Sequence, residues 1–140
     1  MKILFDTNVI LDVLLEREPF ADIATKLISM VEKNKLEGFL GATTITTIFY
    51  LASKVAGKKK AKSEVNKLLS LFKIAPINQT VLKEALNLPF TDFEDAVLHE
   101  STRQIGLHGI VTRNTKDFKK ASISVYTPDE LLKMIKSIIN

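Results

Sequence analysis

Five of the seven aspartates of this chain fall in three short polar clusters. Asp6, Thr7 and Asn8 follow the apolar run Ile3-Leu4-Phe5, with Asp12 a turn further on; Asp92, Glu94 and Asp95 lie in the second half; Asn114 and Asp117 follow Gly109-Ile110-Val111-Thr112-Arg113. There is no cysteine and there are two histidines, which excludes thiolate zinc sites, disulfides and cysteine nucleophiles and leaves oxygen to hold any metal. Three acids gathered without matching cations repel one another and resist ionising, and a divalent cation is their simplest counter-charge. Carboxylates with water favour magnesium or manganese over zinc or copper. Such a cation suits hydrolysis of a phosphodiester, where one ion activates water and polarises the phosphoryl oxygen and a second can stabilise the leaving oxygen. Asp6, Asp95 and Asp117 are the ligand candidates, with Asn114 as a neutral ligand or water-positioning group.

Each of these residues also has a structural reading. Asp6 or Asn8 suits capping of a first helix, Asp92 and Glu94 suit capping of theirs, Asn114 suits capping of a short turn, and Asp117 fits an exposed acid beside Lys116. His99 and His108 fit structural or solvent-facing roles. Glu100 falls near the apolar face of its helix, where a charge needs a partner. Phe49 and Tyr50 fit a core better than a base-stacking platform. The joint placement carries the chemistry, and that depends on the elements that hold these side chains.

Residues 2–5 read as a buried strand that stops at Asp6, after which Val9, Ile10, Val13 and Leu14 recur at helical spacing. Phe20, Ile23, Ala24, Leu27 and Val31 mark a second helix, and residues 38–41 a second strand. Thr44 is placed to cap a third helix with Ile45, Ile48, Phe49 and Ala52 on one face, closed by Gly57; Val65, Leu68, Leu69 and Phe72 stripe a fourth. A short strand over 74–77, a helix over 80–88 and a helix opened by a Thr91/Glu94 capping box come next. Asp92, Asp95 and His99 share one face of that helix, while Phe93, Ala96 and Val97 share another. Strands over 109–112 and 123–126 follow, and Thr127-Pro128-Asp129-Glu130 opens a terminal helix. Strands alternating with helices, without hairpin signals, predict a mostly parallel sheet covered on both faces, with ligands outside the carboxyl ends of its strands. Both Asp6 and the Asn114–Asp117 segment empty into that crevice.

With 140 residues, 46% of them apolar, the chain is the length of one domain and has enough apolar surface for a core. It lacks a signal peptide's uninterrupted apolar stretch and anything near a membrane span, so a cytoplasmic protein without membrane contact is expected. The net charge of +4 is local: Lys54, Lys58, Lys59, Lys60 and Lys62 lie within nine acid-free residues, and the rest carries −1, with 15 basic against 16 acidic residues. Such a patch attracts phosphate backbones or is a solvated bridge between two helices.

The motifs together resemble the PIN-domain family, specifically its bacterial and archaeal members, many of which are ribonuclease toxins of the VapC type. The resemblance rests on residues 3–12 (Ile-Leu-Phe-Asp-Thr-Asn-Val-Ile-Leu-Asp), on Asp92-Phe93-Glu94-Asp95-Ala96 and on Thr112-Arg113-Asn114-Thr115-Lys116-Asp117-Phe118, with Tyr126-Thr127-Pro128 closing the domain. These blocks occur in family order over essentially the whole chain. The resemblance implies a three-layer α/β/α fold, a parallel sheet sandwiched between helices, with residues 1–140 as one nuclease domain. It further implies magnesium- or manganese-dependent cleavage of RNA, an antitoxin partner and a homodimer. The family's acids map to Asp6, to Asp95, and to Asn114 and Asp117, with Asn8 and Asp92 in support; Lys58, Lys59, Lys60 and Lys62 would steer the RNA. One position departs: the family commonly has Glu or Asp early in the third helix, where this chain has Thr47, whose hydroxyl can hold water but brings no charge. Asp92 or Asp12 could compensate.

A catalytically weakened PIN domain that binds RNA or protein is the competing reading, motivated by Thr47. A phosphoaspartyl receiver is not supported, since neither its paired acids after the first strand nor its late strand-ending lysine is present. Nucleotide cradles fail too: there is no Gly-x-Gly-x-x-Gly, and Gly57-Lys58-Lys59 lacks a P-loop's earlier glycine and its Ser/Thr.

Overall fold

The computed structural model describes residues 1–139 and builds them around one parallel sheet. In chain order the elements are β1 (Lys2–Phe5), α1 (Thr7–Leu14), α2 (Ala21–Glu32), β2 (Glu37–Gly41), α3 (Ala42–Ala56), α4 (Lys58–Leu71), β3 (Lys73–Ala75), α5 (Gln79–Leu86), α6 (Phe93–Gln104), β4 (Gly109–Val111), a 3-10 turn (Thr115–Phe118), β5 (Ser124–Tyr126) and α7 (Pro128–Ile139). The strand order is β3-β2-β1-β4-β5, with every neighbouring pair parallel. Leu4 of the central strand pairs with Phe39 on one side and Ile110 on the other.

Alternation along β1 sends its side chains into two cores. Ile3 and Phe5 pack with Leu27 of α2, Ile48 of α3, Leu68 of α4 and Leu131 of α7; Leu4 packs on the other face with Leu98 of α6 and Phe118. Val81 and Ala85 of α5 close against Ala96 and Val97 of α6. Helices therefore cover both faces, as the alternating pattern predicts. The chain winds outward from β1 through β2 to β3, then returns to the other side of β1 with β4 and β5. The order reverses between β1 and β4, and at such a switch point the loops diverge and leave a crevice.

Several local expectations are corrected. Thr44 does not cap α3: the helix begins at Ala42, its cap position is Gly41, and Thr44 is fully buried with its Oγ1 2.9 Å from Thr7 Oγ1. A cross-element hydroxyl partner replaces the local one, and Gly41 is needed for space, because a Cβ there would stand 2.5 Å from Leu98 Cδ2. At α6 the cap is Asp92, whose Oδ1 accepts from the Glu94 and Asp95 backbone N–H groups at 2.8 and 3.3 Å, so Thr91 forms no capping box. The Thr127/Glu130 box forms as expected. The lysine segment is not a bridging loop: Gly57 alone, at φ +88°, makes the joint, and Lys58 already begins α4. The third strand ends at Ala75 and does not reach Ile77. Tyr50 is 56% exposed, not core, and lies under Lys54 Nζ, 4.5 Å from its ring centroid.

Candidate active site

Asp6 stands at the reversal point. It caps α1 through its Oδ1, which accepts from Thr7 N–H at 2.8 Å, while Oδ2 accepts from the Thr112 hydroxyl at 2.8 Å and from Asn8 Nδ2 at 3.4 Å. The backbone N–H of Asp6 donates to Val111 O, continuing the β1–β4 ladder to the end of both strands. Asp6 is 8% exposed, and this burial pushes its carboxyl above the ordinary range despite the opposing hydrogen bonds from Thr112 and Thr7; the charges of Glu94 and Asp117 push the same way. The capping and ligand readings of Asp6 are thus compatible in one side chain. Asn8 links the two strand ends, with Nδ2 also 3.4 Å from Thr112 Oγ1.

Asp95 comes from the first turn of α6, half-buried. Burial raises its carboxyl to about 7, reinforced by the charges of Asp6, Asp92, Asp117 and Glu94. Asp117 lies exposed on the 3-10 turn after β4. Five carboxylates are therefore within electrostatic range at the carboxyl edge of the sheet. Asp92, Asp95 and Asp117 line a cleft of about 580 Å³ together with Lys116, Lys119 and Lys120. Asn114 precedes the turn, exposed; its backbone N–H donates to Thr112 Oγ1 and its side chain does not cap the turn.

Other polar residues are accounted for elsewhere. Asp12, 1% exposed, is gripped by Arg113 through Nε at 2.6 Å and Nη2 at 3.1 Å, with Arg17 at 3.8 Å, so it does not compensate for Thr47. Arg113 also packs its guanidinium over Phe20, 4.1 Å from the ring centroid. His99 is buried beneath the acidic face: its Nε2 accepts from Ser122 N–H at 3.0 Å, which leaves Nδ1–H to donate to Glu100 Oε1 at 3.2 Å. Burial lowers the His99 pKa, favouring this neutral form. The partner that Glu100 requires is Arg103, whose Nη2 lies 2.8 Å from Oε2 and which holds the Glu100 carboxyl below its ordinary range. His108 Nδ1 accepts from the backbone N–H of Lys2.

The structure separates the lysine patch from the acids. Thr44, in the first turn of α3, adjoins Thr7, whereas Lys58 follows the far end of this 15-residue helix, roughly 22 Å along its axis. Lys60 is paired with Glu64 at 3.1 Å. The lysines at the cleft, Lys116, Lys119 and Lys120, do not stand out in the sequence because they are interspersed with Asp117 and Phe118 and make no run. Thr112 reads in the sequence as a strand end and the start of a motif block, while its bond to Asp6 comes only from the partner that β pairing brings to it.

Among the described residues, no three acidic or imidazole side chains already close around a single point as a metal cage. The donor set instead fits a hydrated hard cation. It offers only oxygen, and magnesium binds through one or two carboxylates while retaining several waters. Burial first, and then the charges of Asp6, Asp92, Asp117 and Glu94, hold the Asp95 carboxyl up, a repulsion that a bound cation would relieve.

Known proteins are similar to this chain in sequence or in structure. Ribonuclease VapC1 of Aquifex aeolicus (strain VF5) is 28% identical over 134 residues, 92% of each chain. Among solved structures, a toxin–antitoxin complex from Klebsiella pneumoniae matches with a TM-score of 0.68 at 24% identity, and FitAcB from Neisseria gonorrhoeae with 0.69 at 22%; each covers 90% of this chain and 97% of the other. A family model described as PIN domain matches residues 2–116, and the chain belongs to the PIN domain family.

Proposed function

We propose that this chain is an endoribonuclease that hydrolyses RNA phosphodiester bonds with magnesium or manganese, and that it serves as the toxin of a toxin–antitoxin pair. The observation that carries this reading is the half-buried Asp95 at one sheet edge, raised to about 7 by burial and then by the charges of carboxylates from three segments, Asp6, Asp92 with Glu94, and Asp117. The ribonuclease name of the 28%-identical relative and the toxin–antitoxin nature of the Klebsiella structure support it.

When bound, the cation supplies polarisation of the phosphodiester and a lowered pKa for the attacking water. Asp6, Asp95 and Asp117 would hold it, and Asn114 would orient water. Asp6 is kept in place by Thr112, Thr7 and Asn8, so its carboxyl need not reorganise. Lys116, Lys119 and Lys120 would receive the flanking phosphates, and Lys58, Lys59, Lys60 and Lys62 a more distant stretch of backbone. Residues 1–140 act in this proposal as one nuclease domain, working in the cytoplasm as a homodimer and silenced by an antitoxin. No helix among the described residues is long and apolar enough to cross a membrane.

Incubating the protein with a mixed RNA pool and manganese, with and without chelator, tests the proposal. Wild type should cleave only without chelator and Asp6→Ala should not cleave; cleavage that survives both changes refutes it. Thr47 favours one second reading, a weakened domain that binds RNA or protein, for which RNA would be retained intact.

A further inference from the structure

Thr47 of α3 stands where the family resemblance implies a carboxylate, and Glu94 of α6 lines the same cleft as Thr47, beside the cleft of Asp95 and Asp117. Thr44 and Thr47 lie three residues apart on one helix face, and Thr44 Oγ1 is 2.9 Å from Thr7 Oγ1, next to Asp6. That face of α3 therefore borders the site. Across from it, Glu94 lines a cleft of about 350 Å³ together with Thr47. Glu94 is exposed, and among the described residues its carboxylate forms no ion pair. It is also not needed for capping, since Asp92 accepts from the Glu94 N–H. The other acids near the site are already engaged, Asp12 by Arg113 and Arg17 and Asp92 by two backbone N–H groups. Glu94 directly precedes the candidate ligand Asp95 in the first turn of α6.

We propose that Glu94 takes the role that Thr47 leaves empty, its carboxylate helping to hold the divalent cation, directly or through one water, from α6 instead of α3. The proposal rests on the cation-dependent nuclease reading above. Its steric logic is an exchange between two positions. A second carboxylate at position 47 would face Glu94 across the cleft and repel it, whereas a threonine leaves space for the longer glutamate to reach inward. One carboxylate in this part of the site is thereby preserved.

Manganese binding to the full chain, followed by electron paramagnetic resonance and calorimetry, tests this without reference to cleavage. Glu94→Gln should weaken Mn²⁺ binding by roughly 10–100-fold while melting in chelator no lower than wild type. Adding Thr47→Glu to Glu94→Gln should restore most of the affinity. If Glu94→Gln binds Mn²⁺ like wild type while Asp6→Asn does not bind it, Glu94 is not part of the site, although the nuclease reading stands. A loss that Thr47→Glu leaves unrepaired overturns the exchange of roles. Wild type that fails to bind Mn²⁺ at millimolar concentration overturns both readings together.

Discussion

The Thr112 hydroxyl donates to Asp6 Oδ2 at 2.8 Å across 106 residues of sequence. The bond ties together the carboxyl ends of β4 and β1, the two strands between which the winding of the sheet reverses. It also fixes the orientation of a carboxyl that burial would otherwise drive toward protonation.

Asp6→Asn separates charge from capping, because asparagine caps a helix about as well as aspartate. In chelator the variant should melt a few degrees higher than wild type, since a disfavoured buried charge is gone. Cleavage should fall by roughly 100-fold or more. Added Mn²⁺ should then raise the melting temperature of wild type but not of the variant. A lower melting temperature in chelator would assign Asp6 a mainly structural role.

Asp95 titrates at about 7 in the folded chain, against an ordinary value of 3.8. The folded state holds this proton more tightly than the unfolded one, so the stability it contributes is present at low pH and is lost as pH rises from about 4 to about 7. Measured in metal-free buffer, the stability advantage of Asp95→Asn over wild type should grow across that window and level off above it. Because the proton must leave before a cation binds, Mn²⁺ affinity of wild type should rise through the same range. A constant difference between the two proteins from pH 4 to 8 would contradict the shift.

The two lysine groups should separate by substrate length. Replacing Lys116, Lys119 and Lys120 with alanine should weaken binding of short and long RNA alike, whereas replacing Lys58, Lys59, Lys60 and Lys62 should affect long RNA alone. Each lysine that displaces a counterion from a single strand contributes roughly 0.7 to the slope of log affinity against log salt. Binding titrations at several salt concentrations read this directly. An unchanged slope in the quadruple variant, together with lost affinity for an acidic partner segment, would make the distal patch a protein-binding surface instead.

Asp12→Ala should destabilise the fold by roughly 3 kcal/mol, because it strands the partly buried Arg113 without its bidentate partner. Urea denaturation measures the loss. A change below about 1 kcal/mol would place the pair with ordinary surface ion pairs.

Local patterning made much of the scaffold legible. The apolar run Ile3-Leu4-Phe5 ends at a carboxylate, which places Asp6 at a strand end, and the spacing in α2 identifies its core face because apolar side chains must leave water together. Alternating elements imply a parallel sheet with its chemistry at one edge. Competition between nearby partners was less legible. Thr44 lies three residues from the observed cap position at Gly41 and Asp92 one residue from Thr91, and which side chain serves depends on what else approaches; Thr44 is drawn to Thr7, and Asp92 takes the place expected of Thr91. Tyr50 lies two residues beyond the fully buried Ile48, on roughly the opposite side of α3, and so faces solvent.

Residue type and order were enough to indicate a hard-cation, oxygen-only chemistry and an edge at which to find it, because composition and short-range periodicity are properties of neighbouring residues. Folding was needed to separate Glu94 and Asp95, which meet the acids, from Asp12, which meets two arginines, and to place Lys116 at the cleft and Lys58 a helix length away. These outcomes depend on strand pairing and crossovers that join segments up to 106 residues apart. Burial, which moves Asp95 to about 7, arises only when those segments pack and exclude water.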